Sequence, residues 1–102
     1  MTRDEVLSMK PGRELDALVA RKLFHIHNPD PRWKPSEEIS EAWGDVEEEI
    51  RIRGLQMEYL YELMRVTGVS DFQLHSVFEL VHASPADRCK AALLALEGGE
   101  GE

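Results

Sequence analysis

The chain has 102 residues, of which 42% are hydrophobic and 31% charged, and its formal net charge is −8 at pH 7. These proportions are typical of one globular domain and exclude disorder over the whole length. The negative charge disfavours direct nucleic-acid binding, because a phosphate backbone would be repelled.

Cysteine usage and hydropathy indicate the compartment. Cys89 is the single cysteine, so no internal disulfide can form and a reducing cytoplasm suits the chain. The first ten residues lack the pattern of a secretory signal, and no later stretch approaches the length of a membrane span. We therefore expect a cytoplasmic protein that makes no membrane contact.

The N-terminal third predicts two helices. Thr2 and Glu5 have the Thr-x-x-Glu spacing of a capping box, which starts a short helical turn. The Pro-Gly pair at 11 and 12 interrupts it. From Arg13 the apolar residues recur at helical spacing, which predicts an amphipathic helix that ends before Asn28.

The next stretch poses the question of a metal site, because His25 and His27 are followed by Asp30. On a strand, two histidines two residues apart share a face and can ligate one zinc ion, whereas on a helix they diverge. The chain has no Cys-x-x-Cys or His-x-x-x-His spacing to complete such a site. We predict no metal site here and no bound cofactor.

Three prolines between 29 and 35 make the same stretch an irregular connector, because each fixes φ and removes a backbone donor. Arg32 and Trp33 lie in it, and both residue types are favoured anchors at protein interfaces. Trp33 is expected to fold back over the core. We expect an interaction loop that consists of His25, His27, Arg32 and Trp33.

A longer helix is predicted after the connector, with Ser36 as its N-cap and Gly54 just past its C-terminus. Its apolar residues are expected to form one face that points into the core: Ile39, Ala42, Trp43, Val46 and Ile50.

The segments 55–66 and 72–83 are ambiguous. As a strand, the first segment places alternate apolar residues on one face; as a helix, it leaves Leu55, Tyr59 and Leu63 on the far side of its apolar stripe. The strand therefore leaves less apolar surface exposed to solvent than the helix does. The second segment fits either state, and the turn-like residues 67–71 between them favour a β-hairpin.

The C-terminal helix has a clear start, with Ser84 at the N-cap and Pro85 at the first helical position. Gly98 is expected to end it. We predict a single α+β domain over residues 1–97, followed by a disordered acidic tail over residues 98–102.

Three segments resemble the phage ABA sandwich domain family, whose members are small proteins of phages and prophages. They are GRELDALVARK at 12–22, the Ile39-x-x-Ala42-Trp43 stretch that runs on to Arg53-Gly54, and CKAALLA at 89–95. The resemblance implies an α-β-α layered sandwich and a bacterial host cell. It implies no established activity.

The fold class expected is therefore α+β, an α-β-α sandwich with a short antiparallel sheet; an all-α helical bundle is the alternative. A two-stranded sheet is marginal alone. Either a third strand near Leu23 to His27 or a second subunit should extend it, which makes a homodimer a hypothesis.

No catalytic residues are predicted. Cys89 could act as a nucleophile with His75 or His82 as its base, but it belongs to the apolar side of the last helix, where buried packing is expected. No complete set of nucleophile, base and stabilising group can be assembled.

We expect a non-enzymatic accessory protein that binds a host or phage protein. Two alternatives stay open: a protein that sequesters a small nucleotide-like ligand, and an acidic mimic of nucleic acid. The first needs a concave pocket with converging polar groups, and the second needs carboxylates arrayed along one surface.

Overall fold

A computed structural model describes residues 2–69 and 74–100, and the helices account for most of them. They are α1 (Arg3–Ser8), α2 (Arg13–Phe24), α3 (Ile39–Glu41), a π-helical segment (Ala42–Glu47), α4 (Glu48–Ile52), α5 (Gln56–Thr67), α6 (Leu74–Val81) and α7 (Pro85–Glu100). The helices α3 and α4 continue directly into the π-helical segment, so 39–52 is one helical stretch.

The prediction of an α+β sandwich is wrong, because the described part of the chain contains helices and no strand. The antiparallel sheet implied by the resemblance to the phage ABA sandwich domain is absent from it. The all-α alternative agrees with this helical content.

The segment 55–66 is a helix because its core side chains recur at intervals of four. Leu55, Tyr59 and Leu63 are buried on one side of α5. The strand prediction assumed that the remaining apolar residues also need burial. Instead, three of them stay 40–61% exposed: Met57, Leu60 and Tyr61.

The second proposed strand is also helical over its described part, which forms α6. Residues 70–73 lie outside the described residues, and they include the end of the expected turn at 67–71 and the start of this segment at Phe72. A third strand near Leu23 is excluded, since Leu23 is buried in α2 and that helix continues to Phe24. The short sheet that motivated a homodimer is therefore lost.

The core is centred on α7, which packs against α1, α2, α5 and the π-helical segment. Its middle is apolar all round, and every residue from Ala91 to Ala95 is buried. Such a helix belongs in an interior. Cys89 is fully buried in the same helix, which confirms the packing role predicted for it.

Local signals at three helix ends are confirmed. Thr2 and Glu5 form the capping box of α1. Gly54 has a φ of +72° directly after the C-cap of α4, a conformation that glycine adopts without strain. The Ser84 hydroxyl accepts a hydrogen bond from the Asp87 backbone N–H at the start of α7. That helix, however, continues through Gly98 to Glu100.

Ser36 has a different role from the one predicted, because α3 begins at Ile39 and its N-cap is Glu38. Ser36 is buried, its hydroxyl accepts a hydrogen bond from the Gly12 N–H at 2.9 Å, and its own N–H donates to the Asp16 carboxylate at 2.8 Å. The proline-rich connector is thereby tied to the start of α2.

We predict that Ser36→Ala lowers the free energy of unfolding by about 1–3 kcal/mol, because the Gly12 N–H loses its acceptor in a partly buried place. Urea titration followed by circular dichroism measures the change. Ser8→Ala is the matched control: its exposed hydroxyl bonds within α1, and the expected change is within about 0.5 kcal/mol. Equal losses in the two variants would contradict this role.

Candidate functional site

The connector leaves α2 through an unusual residue. His25 caps the helix in the left-handed conformation, with a φ of +58°, and the N–H groups of His25 and Ile26 both reach the Ala20 carbonyl. This pattern normally favours glycine. His25, Ile26 and His27 are all exposed after the turn.

Asp30 organises the tip of the connector. Its carboxylate accepts a hydrogen bond from the Arg32 backbone N–H at 2.8 Å and two from the Arg32 guanidinium at 3.1 and 2.8 Å. The Arg32 guanidinium lowers the pKa of the Asp30 carboxyl below its usual value. The two charges of the tip therefore neutralise each other.

Trp33 is half-buried, so it folds back as predicted. Its ring meets Phe24 edge to face, with centroids 5.6 Å apart and planes at 88°. Its indole Nε1–H donates to the Asp45 carboxylate in the π-helical segment at 2.8 Å. These two contacts fix the connector between α2 and the long helical stretch.

A cavity of about 550 Å³ opens beside Trp33, and we call it the Trp33 cavity. Its walls are mainly apolar, and three carboxylates stand on its rim. The lining residues are Phe24, Ile26, Asn28, Pro29, Asp30, Arg32, Trp33, Glu41 and Asp45.

The four predicted loop residues are brought together only in pairs. Arg32 and Trp33 line the Trp33 cavity, and His27 and Trp33 line a smaller hollow of about 320 Å³. His25 lines neither. Sequence reasoning missed Glu41 and Asp45, which come from a helix eight or more residues away in the chain. Their charge was the only available signal, and it fitted a solvated face equally well.

No group of three or more His, Cys, Asp or Glu side chains in the described ranges is placed to hold a metal ion. Within the same ranges, no helix is both long and apolar enough to cross a membrane. The proposed pairing of Cys89 with His82 fails in the structure, because the thiol is buried while His82 is exposed and stacks on Phe78. The side chain of His75 lies outside the described residues.

A second notable cluster surrounds Arg88, whose side chain is only 5% exposed. Its guanidinium donates to the backbone carbonyls of Leu80, Val81 and Ala83 at the end of α6. It also donates to the Glu47 carboxylate at 2.6 Å. A cation at the carbonyl end of a helix is favourable, and here it satisfies acceptors that the helix leaves open.

Glu47 also accepts a hydrogen bond from the Tyr59 hydroxyl, so one carboxylate joins the π-helical segment to both α5 and α7. Burial and the neighbouring Glu47 charge raise the pKa of Tyr59. We call Glu47, Tyr59 and Arg88 the buried polar cluster.

Trp43 stands over this cluster, with its ring centroid 5.4 Å from the Arg88 guanidinium carbon. The prediction that Trp43 points into the core is wrong, because the residue is 57% exposed. The reason lies in the π-helical segment, whose wider turns place Ala42 and Val46 inside and rotate Trp43 outward.

No family model matches the chain, and neither the curated proteins nor the solved structures contain a match.

We predict that Arg88→Met costs about 3–5 kcal/mol of unfolding free energy, because it leaves the Glu47 charge and the α6 carbonyls without their buried donor. Urea denaturation measures it. Arg51→Met is the control, since Arg51 pairs with Glu48 on the exposed surface and no measurable loss is expected. An Arg88→Met variant as stable as the control would contradict the capping role.

Burial, together with the charge of Asp16, raises the pKa of the Cys89 thiol well above its usual value. The unfolded chain therefore releases the thiol proton at lower pH than the native state. Above about pH 8.5, stability should fall as pH rises.

We predict that the urea midpoint falls more steeply between pH 8 and pH 10 in the wild type than in Cys89→Ala, in which the thiol is missing and all other titrating groups are kept. The native thiol should also react with a disulfide reagent only as fast as the protein opens. Parallel pH slopes, or immediate labelling of the native protein, would contradict the burial effect.

Proposed function

We propose that the protein is a non-enzymatic binding protein and that the Trp33 cavity receives a cationic side chain, such as arginine or lysine, from a partner protein. The observation that carries this is the combination of two aromatic walls at right angles with carboxylates on one rim. Aromatic faces attract cations, and adjacent carboxylates add a direct charge interaction.

Two of the rim carboxylates keep their negative charge available. Asp45 accepts from the neutral indole of Trp33, and Glu41 accepts from the Lys34 backbone N–H at 2.6 Å. Neither forms a salt bridge with a lysine or arginine among the described residues. A basic group from outside can therefore satisfy both, and the net charge of −8 would attract it over a longer range.

The cavity is also held open before any ligand arrives. The loop is restrained by its prolines, by the hydrogen bonds between Asp30 and Arg32, and by the hydrogen bond from Trp33 to Asp45. A restrained loop loses less conformational entropy when it binds a partner, and its affinity is higher for that reason.

The chemistry of the rim decides between the alternatives. A nucleotide-like ligand would bring phosphate groups towards Glu41 and Asp45, and Arg32 is already neutralised by Asp30. The same carboxylates disfavour an anionic ligand and support a basic one. The partner is defined by this chemistry alone, because the described residues do not contain the sheet that the phage resemblance implies.

The test uses a Trp43→Phe parent, so that Trp33 is the only tryptophan and its fluorescence reports on the cavity. Capped peptides that differ in one central residue are titrated: arginine, lysine, trimethyl-lysine or glutamate. We expect saturable binding of the basic peptides and none of the glutamate peptide. Equal response to arginine and glutamate would overturn the proposal.

Asp45→Asn should weaken binding of the arginine peptide by about three- to tenfold, because the side-chain shape is kept and the charge is lost. Glu38→Gln is the matched control, since it removes a charge from an exposed residue of the same loop that does not line the cavity. Equal effects of the two variants would show that binding depends only on the net charge of the protein and not on the Trp33 cavity. Equally tight binding of free arginine amide would identify a small-molecule site and reject the partner-protein part.

A further inference from the structure

A second surface, distinct from the Trp33 cavity, has the features of an interface. Four large apolar residues from three helical elements are exposed around one groove: Trp43 at 57%, Leu60 at 40%, Val77 at 42% and Val81 at 52%. We call it the Trp43 groove. Its floor is formed by the buried polar cluster.

The Trp43 groove consists of two neighbouring hollows. A hollow of about 360 Å³ reaches towards α6, and another of about 340 Å³ reaches towards α4. Both are lined by Trp43, Glu47, Tyr59 and Leu60. They therefore form a continuous depression that crosses the end of the π-helical segment.

The charges of the groove are neutralised within this chain. Glu47 pairs with Arg88, and Glu48 pairs with Arg51. On a protein with a net charge of −8, a neutral apolar surface is where two copies meet with the least repulsion. A basic partner would gain little here, because no lining carboxylate lacks its cation.

We propose that the Trp43 groove is the interface of a homodimer, with Trp43 of each copy seated in the groove of the other. An isologous contact of this kind needs a surface that holds both a projecting side chain and a hollow to receive it. Trp43 is the projecting side chain, and the hollow towards α6 is lined by Val77 and Val81.

The exposed apolar area of this surface is large enough for contact with a second copy of the chain. The exposed parts of the four groove residues and of Phe78, which is 64% exposed on α6, amount to about 500 Å². A standard interface buries about 800 Å² on each partner, of which about 60% is apolar. The exposed apolar area is therefore close to the share that one subunit of a stable dimer contributes.

The test measures mass by light scattering and sedimentation from about 1 μM to about 500 μM, for the full chain. The wild type should shift from 11.6 kDa to twice that mass as concentration rises. In a Trp33→Phe parent, the emission of Trp43 should move to shorter wavelength over the same range. A constant 11.6 kDa species would overturn the proposal.

Val77→Glu places two like charges in the proposed interface and should raise the dimer dissociation constant at least tenfold. Leu60→Glu, on the other wall of the groove, should do the same, and circular dichroism confirms that each variant is folded. Ile52→Glu is the control, because Ile52 is 64% exposed on α4 and does not line the groove. A dimer that Ile52→Glu weakens as much as Val77→Glu would place the interface elsewhere.

Discussion

The hydrogen bonds and the ion pair of the Arg88 guanidinium hold the helices of the C-terminal half together. The guanidinium is a buried charge, and it is tolerated because the carbonyls ending α6 and the Glu47 carboxylate supply its hydrogen bonds. Desolvating such a group is costly unless every donor finds an acceptor. The short helix α6 is thereby fastened to α7, and α7 to the π-helical segment.

Features that depend on near neighbours in the chain could be predicted from the sequence. The capping box at Thr2, the left-handed glycine at Gly54 and the start of α7 at Ser84 each need only a few consecutive residues. The burial of Cys89 followed from the apolar pattern of one helix. For the candidate site, the same local reasoning found Arg32 and Trp33.

Features set by distant contacts could not be predicted. The segment 55–66 is apolar on both faces, and the sequence favours a strand because a helix would leave Leu55, Tyr59 and Leu63 outside its apolar stripe. In the structure these three are buried, and which face turns inward depends on the packing against α7. Asp45 joins the Trp33 cavity through a helix that meets the loop only after folding. Arg88 carried no local signal either, since its acceptors lie on α6 and at Glu47.

The π-helical segment links the two proposed surfaces. Within six residues it supplies Asp45 to the Trp33 cavity and Trp43 with Glu47 to the groove. Shortening this stretch by one residue, to ordinary helical winding, would turn both sets of side chains together. The two surfaces therefore share one local winding of the backbone, and a substitution that restores ordinary helical winding would change the shape of both at once.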